Sequence, residues 1–253
     1  MPEVLTERRS VDERLLTLRR LAIVPAYNEA ETIGRVIEEI RTFDRGFEIV
    51  VVDDGSNDLT AEIARRRGAR VLRLPFNLGI GGAVQTGYQY AFDQGFDVAV
   101  QVDGDGQHDP GELGKLHDPL LDGRADMVVG TRFAGPHGYR SSLPRQVGIR
   151  IFSRVVSLIV RQRVTDTTSG FRAVNRRGIR LFAADYPHDY PEVETTVLLS
   201  RHRLRLVEVP VRMRTRAGGR SSITAIRSIY YMVKVSLALF IGLFRRHTTR
   251  LEE

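Results

Sequence analysis

The chain contains no cysteine, so disulfides and thiolate metal sites are excluded. Lysine is nearly absent too. Lys115 and Lys234 are the only two, and the base behind a net charge of +7 is almost all arginine. Part of that bias is a matter of composition; the remainder suits an anionic substrate or an anionic membrane surface. A basic stretch interleaved with aromatics, the mark of a nucleic-acid surface, is missing, and no nucleic-acid partner is expected. The first twenty residues are charged and hold no apolar secretory core, so a cytoplasmic protein is expected. No internal repeat or low-complexity tract is present. The Gly-x-Gly-x-x-Gly register is absent as well: the glycines between Asn77 and Ala83 fall out of step and follow the third apolar run, not the first. That removes a Rossmann dehydrogenase. At 253 residues the chain is one large domain or a domain with an appendage, long enough to bury a core without staples.

What is present is clearest between Val98 and Pro110, Val-Ala-Val-Gln-Val-Asp-Gly-Asp-Gly-Gln-His-Asp-Pro. An apolar strand pattern ends in two carboxylates, Asp103 and Asp105. In extended chain, residues i and i+2 point to the same side, so both can converge on one cation at the strand's tip. Gly104 and Gly106 remove bulk and let a phosphate approach. One or two carboxylates plus substrate phosphates is the usual setting for Mg²⁺ or Mn²⁺ at a nucleotide site. Three other readings stand beside this one. Asp-Gly-Asp-Gly is also a turn sequence. A calcium loop wants Gly at its sixth position and Glu at its twelfth, where this chain has His108 and Gly114. A phosphatase nucleophile loop would place its Asp near the start of the fold, whereas this pair follows about a hundred residues of alternating strands and helices.

The first half alternates short apolar runs with longer amphipathic ones. Strands are expected at Leu21–Pro25, Glu48–Asp53, Arg70–Leu74, Val98–Val102 and Asp126–Val129. Helices are expected at Glu31–Thr42, Leu59–Arg67, Ile80–Gln94 and Pro110–Leu121. That order predicts an α/β fold with a mainly parallel central sheet flanked by helices. Ligands of such sheets sit beyond the strands' carboxyl ends. The first, second and fourth runs all end in polar or acidic residues there: Tyr27-Asn28-Glu29, Asp53-Asp54-Gly55-Ser56 and Asp103-Gly104-Asp105.

Together, Val24-Pro-Ala-Tyr-Asn-Glu-Ala30, Val50-Val-Val-Asp-Asp-Gly-Ser-Asn-Asp58, Asn77-Leu-Gly-Ile-Gly-Gly-Ala83, Asp103-Gly-Asp-Gly-Gln-His-Asp-Pro110, Gly130-Thr-Arg132 and Asp166-Thr-Thr-Ser-Gly-Phe-Arg172 resemble glycosyltransferase family 2, with its GT-A nucleotide-sugar fold. The resemblance runs over roughly residues 20 to 223. Gln-His-Asp-Pro and Asp-Thr-Thr-Ser-Gly-Phe-Arg point, within the family, to dolichol- or polyprenyl-phosphate sugar synthases. By this resemblance Pro25, Ala26, Tyr27 and Glu29 cradle the nucleotide, with Val52, Asn77, Gly82, Asp103 and Gly104 in the same nucleotide-sugar site. Asp54, an acceptor-only carboxylate, receives base or ribose hydrogens; Asp53 is the alternative, or else a cap or loop holder. The glycines of 77–82 serve either phosphate contact or close helix–sheet packing. Asp103, Asp105 and Gln107 hold the metal. Arg132 meets the diphosphate or the acceptor phosphate, or simply pairs with an acidic neighbour. Arg172 faces the acceptor phosphate, where its fork matches the oxygens. Asp166 orients that loop or stabilises its turn. Glu194 stands at the family's acidic position on the acceptor side, or is only a favourable charge at a helix start. Arg216, Gly219 and Ser221 match a segment that closes over the donor phosphates, with Ser222 where the family has Lys and Arg220 near enough to replace its charge.

The implied reaction is displacement at the anomeric carbon of a UDP- or GDP-linked sugar by a polyprenyl phosphate, with Mg²⁺ or Mn²⁺ as cofactor, catalysed by Asp105, Arg132, Arg172 and Glu194. A hydroxyl acceptor would instead need a proton acceptor, for which Asp109, His108 and Glu194 are candidates. The competing readings are a family 2 transferase acting on a saccharide or small molecule, and an inactive nucleotide-sugar-binding subunit of a membrane complex. Three segments are expected: a polar extension over 1–20, the catalytic domain over 21–223 and an apolar, then basic, helical tail over 224–253. Ile229 to Phe244 would span about 24 Å as a helix, short of a hydrocarbon core of about 30 Å. Arg245, Arg246 and Arg250 follow it. A helix lying on the membrane, a homodimer contact or a core helix all fit. The expected setting is the inner face of the plasma membrane, held peripherally, with a membrane-protein partner as anchor.

Overall fold

A computed structural model describes residues 18–132, 153–188 and 190–214. The tail over 224–253, the extension up to residue 17, and Arg216 and Arg220 lie outside the described residues. In chain order the elements are β1 (Arg20–Ala26), α1 (Ile33–Phe43), β2 (Phe47–Asp53), α2 (Thr60–Arg66), β3 (Arg70–Arg73), α3 (Gly79–Asp93), β4 (Val98–Gln101), a 3₁₀ turn (Pro110–Glu112), α4 (Leu113–Leu121) and β5 (Met127–Thr131). Then come a helix over 153–160 (α5), β6 (Arg172–Asn175), α6 (Arg176–Ala184), α7 (Pro191–Arg201) and β7 (Leu206–Pro210).

The sheet has seven strands in the order β3-β2-β1-β4-β6-β5-β7. β1, β2, β3 and β4 are mutually parallel, and β5 is parallel to β7. β6 runs antiparallel to both β4 and β5. The expected mainly parallel α/β sheet is therefore present, with one reversed strand near its middle that the apolar pattern did not reveal. Helices cover both faces, and the strands that carry the middle of the sheet read as near-continuous apolar runs, as two-sided burial requires. Leu21, Ile23, Val50 and Val52 face α3, α5, α6 and α7, while Ala22, Val24, Ile49 and Val51 face α1, α2 and α4. In α1 the spacing Ile33, Val36, Ile37, Ile40 makes one buried stripe. Asn175 caps α6 by accepting from the N–H groups of Arg177 and Gly178.

Asp126 pins the end of the sheet opposite to the loaded strand tips. Its carboxylate accepts from Arg205 N (2.8 Å) and Asn175 Nδ2 (2.9 Å), and its carbonyl accepts from Asn175 N (3.1 Å). Burial opposes its charge, but these hydrogen bonds and the Arg177 and Arg205 cations hold its carboxyl below the usual carboxylate range. One side chain thus fastens β5 to the strands on either side of it.

His117 of α4 is buried against Phe47 of β2, with ring centroids 5.0 Å apart. Burial keeps the imidazole neutral, Arg20 adds to the effect and Asp44 opposes it; its pKa falls to about 4. The unfolded chain takes up this proton near pH 6.5 and the folded chain only near 4. The stability from the neutral ring is therefore complete above pH 6.5 and lost as pH falls from 6.5 toward 4, an effect of roughly 3 kcal/mol over the window. His117→Phe keeps the stack and removes the titration. Urea unfolding of both proteins at pH 7.5 and 4.5 should show a shallower loss in the variant; equal slopes would assign the acid sensitivity elsewhere.

Candidate active site

The carboxyl ends of β1, β2 and β4 meet in a cleft of about 320 Å³. Pro25, Ala26, Tyr27 and Glu29 form one wall; Asp54, Asn77, Gly79, Ile80 and Ala83 form another; Asp103, Gly104 and Asp105 close the end. Most of the predicted nucleotide residues thus come together. Val52 lies instead in the core with no exposure, and Gly82 packs on Leu78 in the first turn of α3.

Side chains lace these tips together. Asn28 takes a left-handed φ of 54°, a conformation its short polar side chain tolerates. Its N–H donates to Ser56 Oγ (2.9 Å) and its Oδ1 accepts from Asn57 N (2.9 Å). Asp54 accepts from Leu78 N (2.7 Å) and Gly79 N (3.0 Å), one bond to each oxygen, and so holds the start of α3 against β2. Asp53 accepts from Ser56 N (3.1 Å), lies 3.3 Å from Arg73 Nε and does not line the cleft. Of the two neighbours, then, Asp54 is the one at the wall.

The tip of β4 is equally fixed. Gly104 donates to Pro25 O (3.2 Å), and Thr32 Oγ1 donates to Gly104 O (2.7 Å). Asp103 Oδ1 accepts from Gln101 Nε2 (3.0 Å), and Asp103 N donates to His108 Nδ1 (3.0 Å). Since Nδ1 accepts, the hydrogen-bond network puts the ring proton on Nε2, which lies 3.6 Å from Asp103 Oδ2. His108 is buried and stacks on Phe171, with centroids 4.8 Å apart, so it is built into the loop as a support. Gln107 donates from N (3.0 Å) and Nε2 (2.7 Å) to Asp105. Asp109 caps the 3₁₀ turn through Gly111 N and pairs with Arg214 (2.9 Å). Among the described residues no three His, Cys, Asp or Glu side chains form a metal cluster. The donor set beside the cleft is the Asp103 and Asp105 carboxylates, hard oxygen atoms of the kind that holds Mg²⁺ or Mn²⁺ when substrate phosphates complete the shell, while Gln107 turns its amide N–H to Asp105 and does not line the cleft. The residues fit such an ion.

The second half of the chain reaches the same place from the other side. β6 opens with Arg172, paired with Gln101 of β4 and Val129 of β5, so the loop 166–171 before it arrives at the loaded sheet edge. A Cβ on Gly170 would lie 3.0 Å from Gln101 Nε2 and 3.2 Å from Asp103 Oδ2. Arg132, just past β5, donates from Nε (3.2 Å) and Nη2 (3.4 Å) to buried Asp166 and from Nη2 to Thr168 Oγ1 (2.7 Å). Arg172 is buried; it donates to Ser169 O (2.7 Å), Glu192 O (2.6 Å) and Thr195 Oγ1, tying the loop to the start of α7.

Glu194 lies half-buried on the first turn of α7. Glu192, on the same turn and not singled out by the sequence analysis, has carboxylates of the site in its surroundings. Burial raises its carboxyl pKa, Arg172 opposes this, and the carboxylates of Asp103 and Asp166 push it further up. Positions two apart on a helix diverge by about 200°, so Glu194 does not share that face.

The sequence profile for glycosyl transferase family 2 matches residues 21–182. Undecaprenyl-phosphate mannosyltransferase of Micrococcus luteus is 31% identical, over 82% of this chain and 88% of that protein. UDP-N-acetylglucosamine–dolichyl-phosphate N-acetylglucosaminyltransferase of Methanococcus voltae is 29% identical, over 75% and 83%. Glucosyl-3-phosphoglycerate synthase of Mycobacterium tuberculosis, solved with Mn²⁺ and UDP-glucose, superimposes with a TM-score of 0.66 at 22% identity, over 92% of this chain and 81% of that one. The architecture is the GT-A fold of nucleotide-sugar enzymes. The chain belongs to glycosyl transferase family 2 and is a glycosyltransferase.

The contact between Gly170 and Asp103 is open to a direct test. Gly170→Ala puts a methyl against both Asp103 and Gln101, so nucleotide-sugar binding by calorimetry should weaken while the thermal midpoint changes little. Unchanged donor affinity would mean that the loop 166–171 does not set the position of Asp103.

Proposed function

We propose that the enzyme transfers a sugar from a UDP- or GDP-linked donor to a polyprenyl phosphate, in a metal-dependent reaction that inverts the anomeric centre. The observation that carries this reading is the approach of the loop 166–171, which holds Arg132, to the acidic tip of β4. Asp103 and Asp105 close the end of the cleft, a Cβ on Gly170 would lie 3.2 Å from Asp103 Oδ2, and Asp166 of the same loop binds Arg132. The names of the relatives from Micrococcus luteus and Methanococcus voltae support the acceptor, since both act on polyprenyl-type phosphates.

Asp103 and Asp105 would hold the divalent ion, which when bound supplies positive charge against the donor diphosphate. The remaining roles belong to the chain. Pro25, Ala26, Tyr27, Glu29, Asp54 and Asn77 hold the nucleoside part. Arg132 receives phosphate charge, and its fixed orientation means no reorganisation is needed as the charge shifts. Arg172 acts from its buried position by holding the 166–171 loop to α7, and its positive field also reaches the cleft. A phosphate acceptor is already ionised and needs only positioning and partial neutralisation, so no general base is required. Arg216 and Arg220 would add charge from the segment that follows β7. The membrane surface supplies the lipid acceptor: among the described residues no helix is long and apolar enough to cross a membrane, and the 224–253 tail would give peripheral attachment at the inner face or a homodimer contact.

A hydroxyl acceptor is the second reading. It is favoured by Glu192, whose carboxyl is made more basic than an ordinary carboxylate by burial and by the charges of Asp103 and Asp166, with Arg172 opposing.

Incubating the protein with labelled UDP- and GDP-sugars, Mn²⁺ or Mg²⁺, and either undecaprenyl phosphate or undecaprenol separates these readings. Label should enter the phosphate lipid only, chelator should stop it, and Asp105→Ala should abolish it with the fold intact. Transfer that survives chelator or Asp105→Ala would refute the site, and transfer to the alcohol or to a saccharide would refute the acceptor.

A further inference from the structure

β7 presents an acid where its pattern asks for an apolar residue. Leu206 and Glu208 share a face, since alternate residues of a strand point the same way. Leu206 lies in the core on that face. Val207 and Val209 pack against the core on the other. In place of a third apolar contact, the half-buried Glu208 carboxylate receives the loop 165–166. Thr165 N donates to both oxygens (2.8 and 2.9 Å), Asp166 N donates to Oε1 (2.9 Å) and Thr165 Oγ1 donates to Oε2 (2.7 Å). Every one of these donors is uncharged and belongs to a single turn of chain. The opposite side of the turn is held as well: Ser153 Oγ of α5 donates to Val164 O (2.8 Å) and Thr165 O (3.0 Å).

The residue thus secured is Asp166. Its buried carboxylate accepts from Arg132 N (3.3 Å) and Nε (3.2 Å) and from Thr168 N (3.1 Å) and Oγ1 (3.0 Å). Val129 of β5 pairs with Glu208 of β7, so the clamp and Arg132 start from neighbouring strands three residues apart along β5. We infer that Glu208 is a positioning residue of the reaction: through Thr165 and Asp166 it sets the orientation in which Arg132 meets the anionic acceptor. This rests on the acceptor reading given above. Glu208 touches no substrate. Its contribution is rigidity, because hydrogen bonds to an ionised acceptor are stronger than neutral ones and four of them converge on one carboxylate.

Glu208→Gln keeps the shape but turns an –NH₂ group toward N–H donors, so part of the clamp must open. Thr165→Val removes one of the four bonds and is the milder variant. Three readouts apply to the full-length protein. Amide exchange at residues 165–168 should accelerate, while exchange at the β4 tip stays as in wild type. With farnesyl phosphate as acceptor, KM should rise about tenfold, the size expected from one misplaced charge-assisted contact, with donor Kd unchanged. In an Arg132→Ala background Glu208→Gln should add almost nothing, because both act through one group. A general structural role would give multiplying losses in the double variant and a donor Kd that weakens in step with acceptor KM; either result overturns the inference, as does unchanged exchange. If wild type transfers to no lipid phosphate at all, the acceptor reading fails by itself. Faster exchange confined to 165–168 would then still support the clamp, and unchanged exchange would still refute it.

Discussion

One reversed strand governs the geometry of this enzyme. In a wholly parallel sheet, only residues that follow a strand reach the carboxyl edge, where ligands bind. β6 runs the other way between β4 and β5, so the residues that precede it reach that edge instead. This is how Asp166 to Phe171, separated in sequence from Asp103 by about sixty residues, comes to lie against it. The pairing of Arg172 with both Gln101 and Val129 sets the register, and a one-residue slip would turn every side chain of β6 to the opposite face.

Around that constraint the polar groups of the site are supported in layers. Few of the acids at the cleft wait alone for ligand. Asp54 holds the start of α3, Asp103 is met by Gln101 and backed by His108, Asp105 takes two hydrogen bonds from Gln107, and Asp166 takes Arg132. Ionised groups fixed before substrate arrives stabilise developing charge without a reorganisation cost at the moment of reaction. Arg172 follows the same logic at a deeper level. Its guanidinium fastens the loop to α7, so the cation that family resemblance assigns to the acceptor also holds the first turn of α7, where Glu192 sits.

Legibility in the sequence followed the range of the interactions. Where an apolar run ends in acids, as at Asp54 or Asp103, strand and site are encoded within ten residues, and the cleft formed there. β6 is four residues long and begins with arginine, so nothing in its local pattern marks a buried strand; only pairing with two distant strands does. Val52 was assigned to the site on its motif, but alternation along β2 turns it into the core. Family resemblance marks Glu194; nothing local in the sequence marks Glu192, whose coupling to Asp103 and Asp166 exists only in the fold. Glu208 carried a visible signal, a lone acid in Leu-Val-Glu-Val-Pro-Val, yet its partner loop lies more than forty residues away.

With donor and acceptor phosphates held by opposing loops, as proposed, transfer is a single in-line displacement. The anomeric configuration of the lipid-linked product, read from the proton coupling of the transferred sugar by NMR, tests this most directly. Starting from an α-linked nucleotide sugar, the account predicts a β-linked lipid phosphate. An α-linked product would require a second displacement or attack from the leaving-group side, and would contradict it.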